Sequence, residues 1–150
     1  MTLPSAPPIP TGGRVGDRVV VVTGARGGLG SAAVTALAEA GAHVVATDLE
    51  TLDVQASDLP APDAEPPDVQ RIPGTVVNRT LDVADPDGWT RLAGWLRERF
   101  GRVDGLVNNA GVTSRVRLID VTLEEWNRVL AVNLTGSMLG IQALSPMMGE

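Results

Sequence analysis

The stretch TGARGGLG, residues 23–30, decides the fold. Before it stands the apolar run VVVV at 19–22, and after it SAAVTALAEAG at 31–41. A continuous β-branched run over 18–22 fits a strand covered on both faces, as parallel strands are. Val34, Leu37 and Ala38 then fall at helical spacing until Gly41 ends the helix. AHVVATD at 42–48 reads as a second buried strand. Strand, helix and strand within about thirty residues make a βαβ unit, whose crossover is right-handed and whose strands are parallel.

A helix N-terminus presents unpaired backbone N–H groups and a positive dipole end, which attract phosphate. Gly24, Gly28 and Gly30 would bare the backbone there, since a Cβ blocks close approach or forces an unfavourable φ. An isolated glycine string also suits a plain tight turn, but this one lies directly between a strand and a helix, where a dinucleotide turn belongs. Lysine is absent from the whole chain, so the phosphate loop that ends in Gly-Lys-Ser/Thr is excluded. A dinucleotide site also calls for an acidic residue roughly 20 positions on, at the end of the second strand, to accept the ribose hydroxyls. Asp48 occupies that place. Its carboxylate favours NAD and repels a 2′-phosphate, although a strand-end aspartate also serves simply to cap a turn. Arg26, inside the glycine turn, is within reach of a 2′-phosphate and keeps NADP open. A mononucleotide is the remaining ligand for such a turn.

Outward from this unit, residues 1–16 carry four prolines and three glycines without apolar periodicity and read as a flexible leader. The domain proper is expected over 17–150. Five prolines over 57–73 exclude a regular helix and predict a loop. GTVVNRTLDV at 74–83 is a third strand. Asp85 as N-cap with Pro86 at the first helical position opens a helix through Arg99, with Trp89, Leu92, Trp95 and Leu96 on one packing stripe. RVDGLVNNAG at 102–111 is a fourth strand running into a glycine turn. Thr122 and Glu125 form a capping box for a long helix that ends near Pro146. The tryptophans at 89, 95 and 126 read as packing anchors, His43 as a partly exposed structural residue, and Arg97, Glu98, Arg99 and Arg102 as a solvated helix end.

Composition narrows the function. A chain of 150 residues, 43% apolar and 20% charged, has the make-up of one globular domain. Its net charge of -6 argues against nucleic acid as a partner. No cysteine and a single histidine leave nothing for a disulfide or a thiolate metal site. Without an apolar run of about 20 residues or a signal-peptide start, no membrane partner and a cytoplasmic location are expected. All 12 basic residues are arginine, and tyrosine is absent too.

Four ordered stretches together give the chain a family likeness. TGARGGLG at 23–30, LDV at 81–83, NNAG at 108–111 and EEWNRVLAVNLTG at 124–136 resemble the motifs of the short-chain dehydrogenase/reductase family. The resemblance implies a Rossmann-type, doubly wound parallel α/β sheet and a cofactor of the NAD or NADP type. It implies that Gly24, Gly28 and Gly30 cradle the pyrophosphate, with Arg26 and Leu29 lining the same turn, and that Asp48 takes the adenine ribose. Asp82 and Val83 would border the adenine, while Asn109, Ala110 and Gly111 would let the fourth strand's end pass beside the cofactor ribose. Asn133 matches the asparagine that fixes a water in the family's proton relay; taken alone, it reads as a polar residue that caps or kinks the helix by bonding backbone. The resemblance further implies a small carbonyl or alcohol substrate and a homodimer or homotetramer built through the long helix, residues 122–145.

One departure is chemical. Family chemistry uses a tyrosine as general acid/base, a lysine four residues later and an upstream serine, and a phenol with a pKa near 10 needs that adjacent cation to work at pH 7. Tyrosine and lysine do not occur in these 150 residues. The expectation is therefore a fold truncated after its fourth strand and the following long helix, able to bind cofactor without turning over, with Ser, Tyr and Lys beyond residue 150. A self-standing dinucleotide-binding module or inactive remnant is the alternative.

Overall fold

The computed structural model describes residues 15–50 and 74–149. The proline-rich loop expected at 57–73 lies outside the described residues, as does the expected leader except for its last two positions. In chain order the elements are β1 (Val19–Thr23), α1 (Gly28–Glu39), β2 (His43–Asp48), β3 (Thr75–Thr80), α2 (Pro86–Phe100) and β4 (Gly105–Val107). The long helix follows as α3 (Leu123–Leu130), a π-helical turn (Ala131–Thr135) and α4 (Gly136–Leu144).

All strand pairs are parallel, in the order β3-β2-β1-β4. The parallel pairing is what the βαβ reading predicts, and the order is the Rossmann-type arrangement that the resemblance implies. The valine run explains the layering, because alternate residues of a strand point to opposite faces. Val20 and Val22 join Val44, Ala46, Val34 and Ala38 beneath α1, whereas Val19 and Val21 join Val45, Trp89, Leu96 and Leu144 beneath α2 and α4. Both faces are covered, so β1 is apolar at every position from Val19 to Val22.

The helix signals act as expected at their starts. Asp85 accepts the N–H of Asp87 at 3.0 Å, and Thr122 accepts the N–H of Glu125 at 3.1 Å. Gly101, at φ 73°, closes α2 in the left-handed conformation that a residue with a Cβ adopts at a cost.

Several expectations need correction. The third strand stops at Thr80, and residues 81–83 leave the sheet to form one lip of a cleft. The fourth strand, expected within 102–111 ahead of a glycine turn, is only three residues long, Gly105–Val107. Arg102 and Asp104 are engaged in ion pairs, while Asn109 N–H turns back to Val107 O at 3.0 Å. Arg102 is thus not merely solvated: it pairs with Asp17 and Asp104, each at 3.1 Å. Trp89 is a buried anchor at 1% exposure, but Trp126 is 47% exposed and lines a shallow apolar hollow with Val121 and Val129 instead of entering the core. The long helix, Leu123–Met147, is long and apolar enough to cross a membrane by length and composition alone. Here its glycine face packs on the sheet layer. A Cβ on Gly136 would lie 2.9 Å from Val83, and one on Gly140 would lie 2.8 Å from the Trp89 ring.

Asp104 ties the start of β1 to β4. Burial raises the pKa of its carboxyl, but the Val19 N–H at 2.8 Å and the guanidinium groups of Arg18 and Arg102 outweigh that, holding it below the usual aspartate value. A lowered folded-state pKa means stability that is present above the unfolded value and lost as pH falls through the folded one. Asp104→Asn is therefore expected to cost about 1.5–3 kcal/mol at pH 7. The difference from the parent should shrink in urea titrations carried below about pH 4.

Candidate functional site

The C-terminal ends of β1, β2 and β4 and the N-terminus of α1 surround a cleft of about 480 Å³. This is where ligands bind in open α/β sheets, at the point where strand order reverses on either side of the first strand. The glycine turn forms its floor. Gly24 has φ 63°, and a Cβ there would lie 2.7 Å from Ala110 Cα, so β1's turn and the end of β4 are in backbone contact. A Cβ on Gly30 would overlap the carbonyl oxygen of Gly24. At Gly28 nothing lies within 4 Å, and that position faces open cleft. The N-cap of α1 is Gly27, which has no side chain to bond the first-turn N–H groups, and no acidic residue occupies that turn. Leu29, 83% exposed, also lines the cleft.

Asp48 stands at the end of β2, on the cleft's rim. Its Oδ2 accepts the Arg26 N–H at 2.9 Å and its Oδ1 accepts the Leu49 N–H at 2.8 Å. A carboxylate has about four acceptor sites, so these two bonds orient Asp48 and leave capacity for a ligand's hydroxyls. The Arg26 side chain does not line the cleft; its guanidinium pairs with Glu50. Asp82 and Val83 form the opposite lip, with Asp82 Oδ1 accepting the Ala84 N–H at 2.9 Å.

Asn109, Ala110 and Gly111 complete the wall. Asn109 does more than keep the backbone close. Its Nδ2 donates to Thr23 O and Gly24 O, both at 3.0 Å, and so clamps the glycine turn. The Thr23 hydroxyl is the counterpart, accepting the N–H groups of Asn109 at 3.1 Å and Ala110 at 3.0 Å. Thr23 is 1% exposed, and sequence reasoning gave it no role although it opens the decisive stretch. A buried hydroxyl at a strand end beside a glycine turn was the available signal. Leu49, 64% exposed beside Asp48, was missed for the opposite reason, since nothing in its local pattern marks it.

Asn133 does not line this cleft. It sits in the π-helical turn, its Oδ1 accepting the Val112 N–H at 2.8 Å and its Nδ2 donating to Val112 O at 2.9 Å. It does bond backbone, though across 21 residues rather than within its own helix. π-Turns concentrate at functional sites, and this one fixes the chain just past Gly111.

With that geometry in place, comparison decides the family: a model of the short chain dehydrogenases matches residues 18–150. The chain belongs to the short chain dehydrogenase family. It is 36% identical over 135 residues to trans-4-hydroxycyclohexanecarboxylate dehydrogenase of Sinomonas cyclohexanicum, covering 90% of this chain and 51% of that protein. It is 38% identical over 138 residues to a 3-alpha-(or 20-beta)-hydroxysteroid dehydrogenase of Mycobacterium bovis, covering 92% and 49%. Among solved structures, a putative short-chain dehydrogenase/reductase from Burkholderia xenovorans superposes with a TM-score of 0.76 at 34% identity, covering 91% of this chain and 51% of that one. The chain thus spans about half the length of the relatives it matches. Within the short chain dehydrogenase frame, the cleft brings together Gly24, Gly28, Leu29, Gly30, Asp48, Asp82, Val83 and Asn109 to Gly111 from four separate stretches of sequence, and Val132 of the long helix joins them.

Proposed function

We propose that this chain is the cofactor-binding portion of an NAD(P)-dependent oxidoreductase of the short-chain type, with NAD preferred. The observation that carries the reading is the Gly28 position: a bare glycine opens on the cleft at the uncapped start of α1, and no protein atom lies where its Cβ would go. Space kept clear beside free N–H groups suits a pyrophosphate. Asp48, already oriented by two backbone N–H groups, suits the vicinal hydroxyls of an adenine ribose. The lip formed by Asp82 and Val83 suits the adenine.

When bound, the cofactor supplies a nicotinamide that gives or takes a hydride at a carbonyl or alcohol carbon. The residues of this chain bind and orient. The Asn109–Thr23 clamp holds the glycine turn against β4, and the Asn133–Val112 pair fixes the backbone beyond Gly111. Asn133 is proposed to belong to the proton relay, and the general acid/base is assigned to a Tyr-x-x-x-Lys past residue 150. Self-association through the long helix is supported by an uncovered stripe of Leu123, Trp126, Leu130, Leu134, Met138 and Ile141. The alternative is a dinucleotide-binding module without turnover. A Tyr-x-x-x-Lys downstream in the gene decides between the two.

Isothermal titration with NAD, NADP and AMP tests the cofactor reading. NAD is expected to bind, and Asp48→Ala to weaken it by about tenfold or more through loss of charge-assisted hydrogen bonds. AMP binding with no competition from NAD would overturn the dinucleotide assignment.

A further inference from the structure

Just outside the cleft, past Asp48 on its rim, stands a second carboxylate. Glu50, two residues past it, forms an ion pair with the Arg26 guanidinium, while Arg26's own N–H holds Asp48 Oδ2 at 2.9 Å. One arginine therefore links both acidic residues, by backbone to the first and by side chain to the second. We infer that Glu50 is a selectivity residue that restrains the Arg26 side chain and thereby denies NADP its countercharge. This rests on the dinucleotide reading above.

A 2′-phosphate carries about −1.5 to −2 charges and is best met by a guanidinium fork. At this corner it would meet Asp48, Glu50 and an arginine whose side chain is already engaged. To use Arg26, the phosphate must displace Glu50 and leave that carboxylate close by. NAD makes no such demand, because Asp48 takes its hydroxyls and Arg26 contributes only its backbone. The Arg26 and Glu50 side chains are 47% and 76% exposed, so the pair adds little to folding stability. Its effect is on which ligand the charge can serve.

The test uses the full-length natural gene product and reads NAD and NADP dissociation constants and the unfolding midpoint. Glu50→Gln is expected to tighten NADP by about threefold to tenfold, with NAD changed less than about twofold and the midpoint unmoved. Arg26→Gln alone is expected to leave NADP within about twofold, since the group it removes is already engaged. In Arg26→Gln/Glu50→Gln the gain from Glu50→Gln should vanish. No gain in Glu50→Gln, or a loss of NADP affinity in Arg26→Gln alone, overturns the assignment. A gain that survives in the double variant overturns it as well, because Glu50 then acts by its charge and not through Arg26. If the parent binds neither dinucleotide, the cofactor reading itself fails; if it binds NAD and only the NADP pattern is missing, the selectivity role alone falls.

Discussion

Gly28→Ala is expected to weaken NAD by about tenfold, ~1.4 kcal/mol or more, with no loss of folding stability, while Gly30→Ala destabilises the fold itself. The two glycines are two positions apart in one turn, and sequence treats them alike. Their surroundings differ. The added methyl at Gly28 meets no protein atom within 4 Å and enters the cleft. Gly28 is also the first residue of α1, where alanine is at least as good a helix former as glycine. At Gly30 the methyl would overlap Gly24 O and come 2.7 Å from Asn109 Nδ2 and 2.9 Å from Ala25 Cα. All three neighbours are held by the turn and its clamp, so relief requires moving backbone, at a cost of about 1–3 kcal/mol. Urea unfolding and NAD titration of both variants separate the effects. Equal loss of stability in the two would mean that the turn is needed only for packing, and the phosphate reading of Gly28 would lose its basis.

The same contrast shows how far sequence carries. The β1-α1-β2 unit was legible because its signals are local: a strand buried on both faces is apolar at every position, and Val34 and Ala38 lie one turn apart beneath the sheet. The extent of β4 was not. Val103 is a core residue at 1% exposure, which resembles a strand residue in sequence, yet its N–H goes to Met147 O at 3.2 Å and not to a ladder partner. The Asn133–Val112 bond joins residues 21 apart and the Arg26–Glu50 pair residues 24 apart; no periodicity reports either. The long helix shows a middle case. Its apolar period is plain, but two apolar-looking faces compete, and the glycines at 136 and 140 rather than the large residues select the face that packs. Trp126 was misread as an anchor for that reason.

Trp89→Ala is expected to produce the largest stability loss, about 3–5 kcal/mol, the usual range for emptying a fully buried tryptophan. Against a total of about 5–15 kcal/mol for a domain, that brings the fold close to its limit. Trp89 stands where three parts of the molecule meet. Its ring fills the space left by Gly140 on the long helix, its face joins the cluster of Val19, Val21 and Leu96, and its Nε1–H donates to Val83 O at 2.9 Å. Val83 is a lip of the cleft, so the packing anchor also sets the height of the site's wall. Trp89→Phe separates these duties: it keeps most of the apolar volume but leaves Val83 O without its buried donor, at about 1–3 kcal/mol. Urea unfolding with parallel NAD titration reads both. A wall held by the indole predicts that Trp89→Phe weakens NAD even at temperatures where the variant is fully folded. Unchanged NAD affinity in that variant would show instead that Gly136, packed closely on Val83, is enough to hold the lip, and would confine Trp89 to the core.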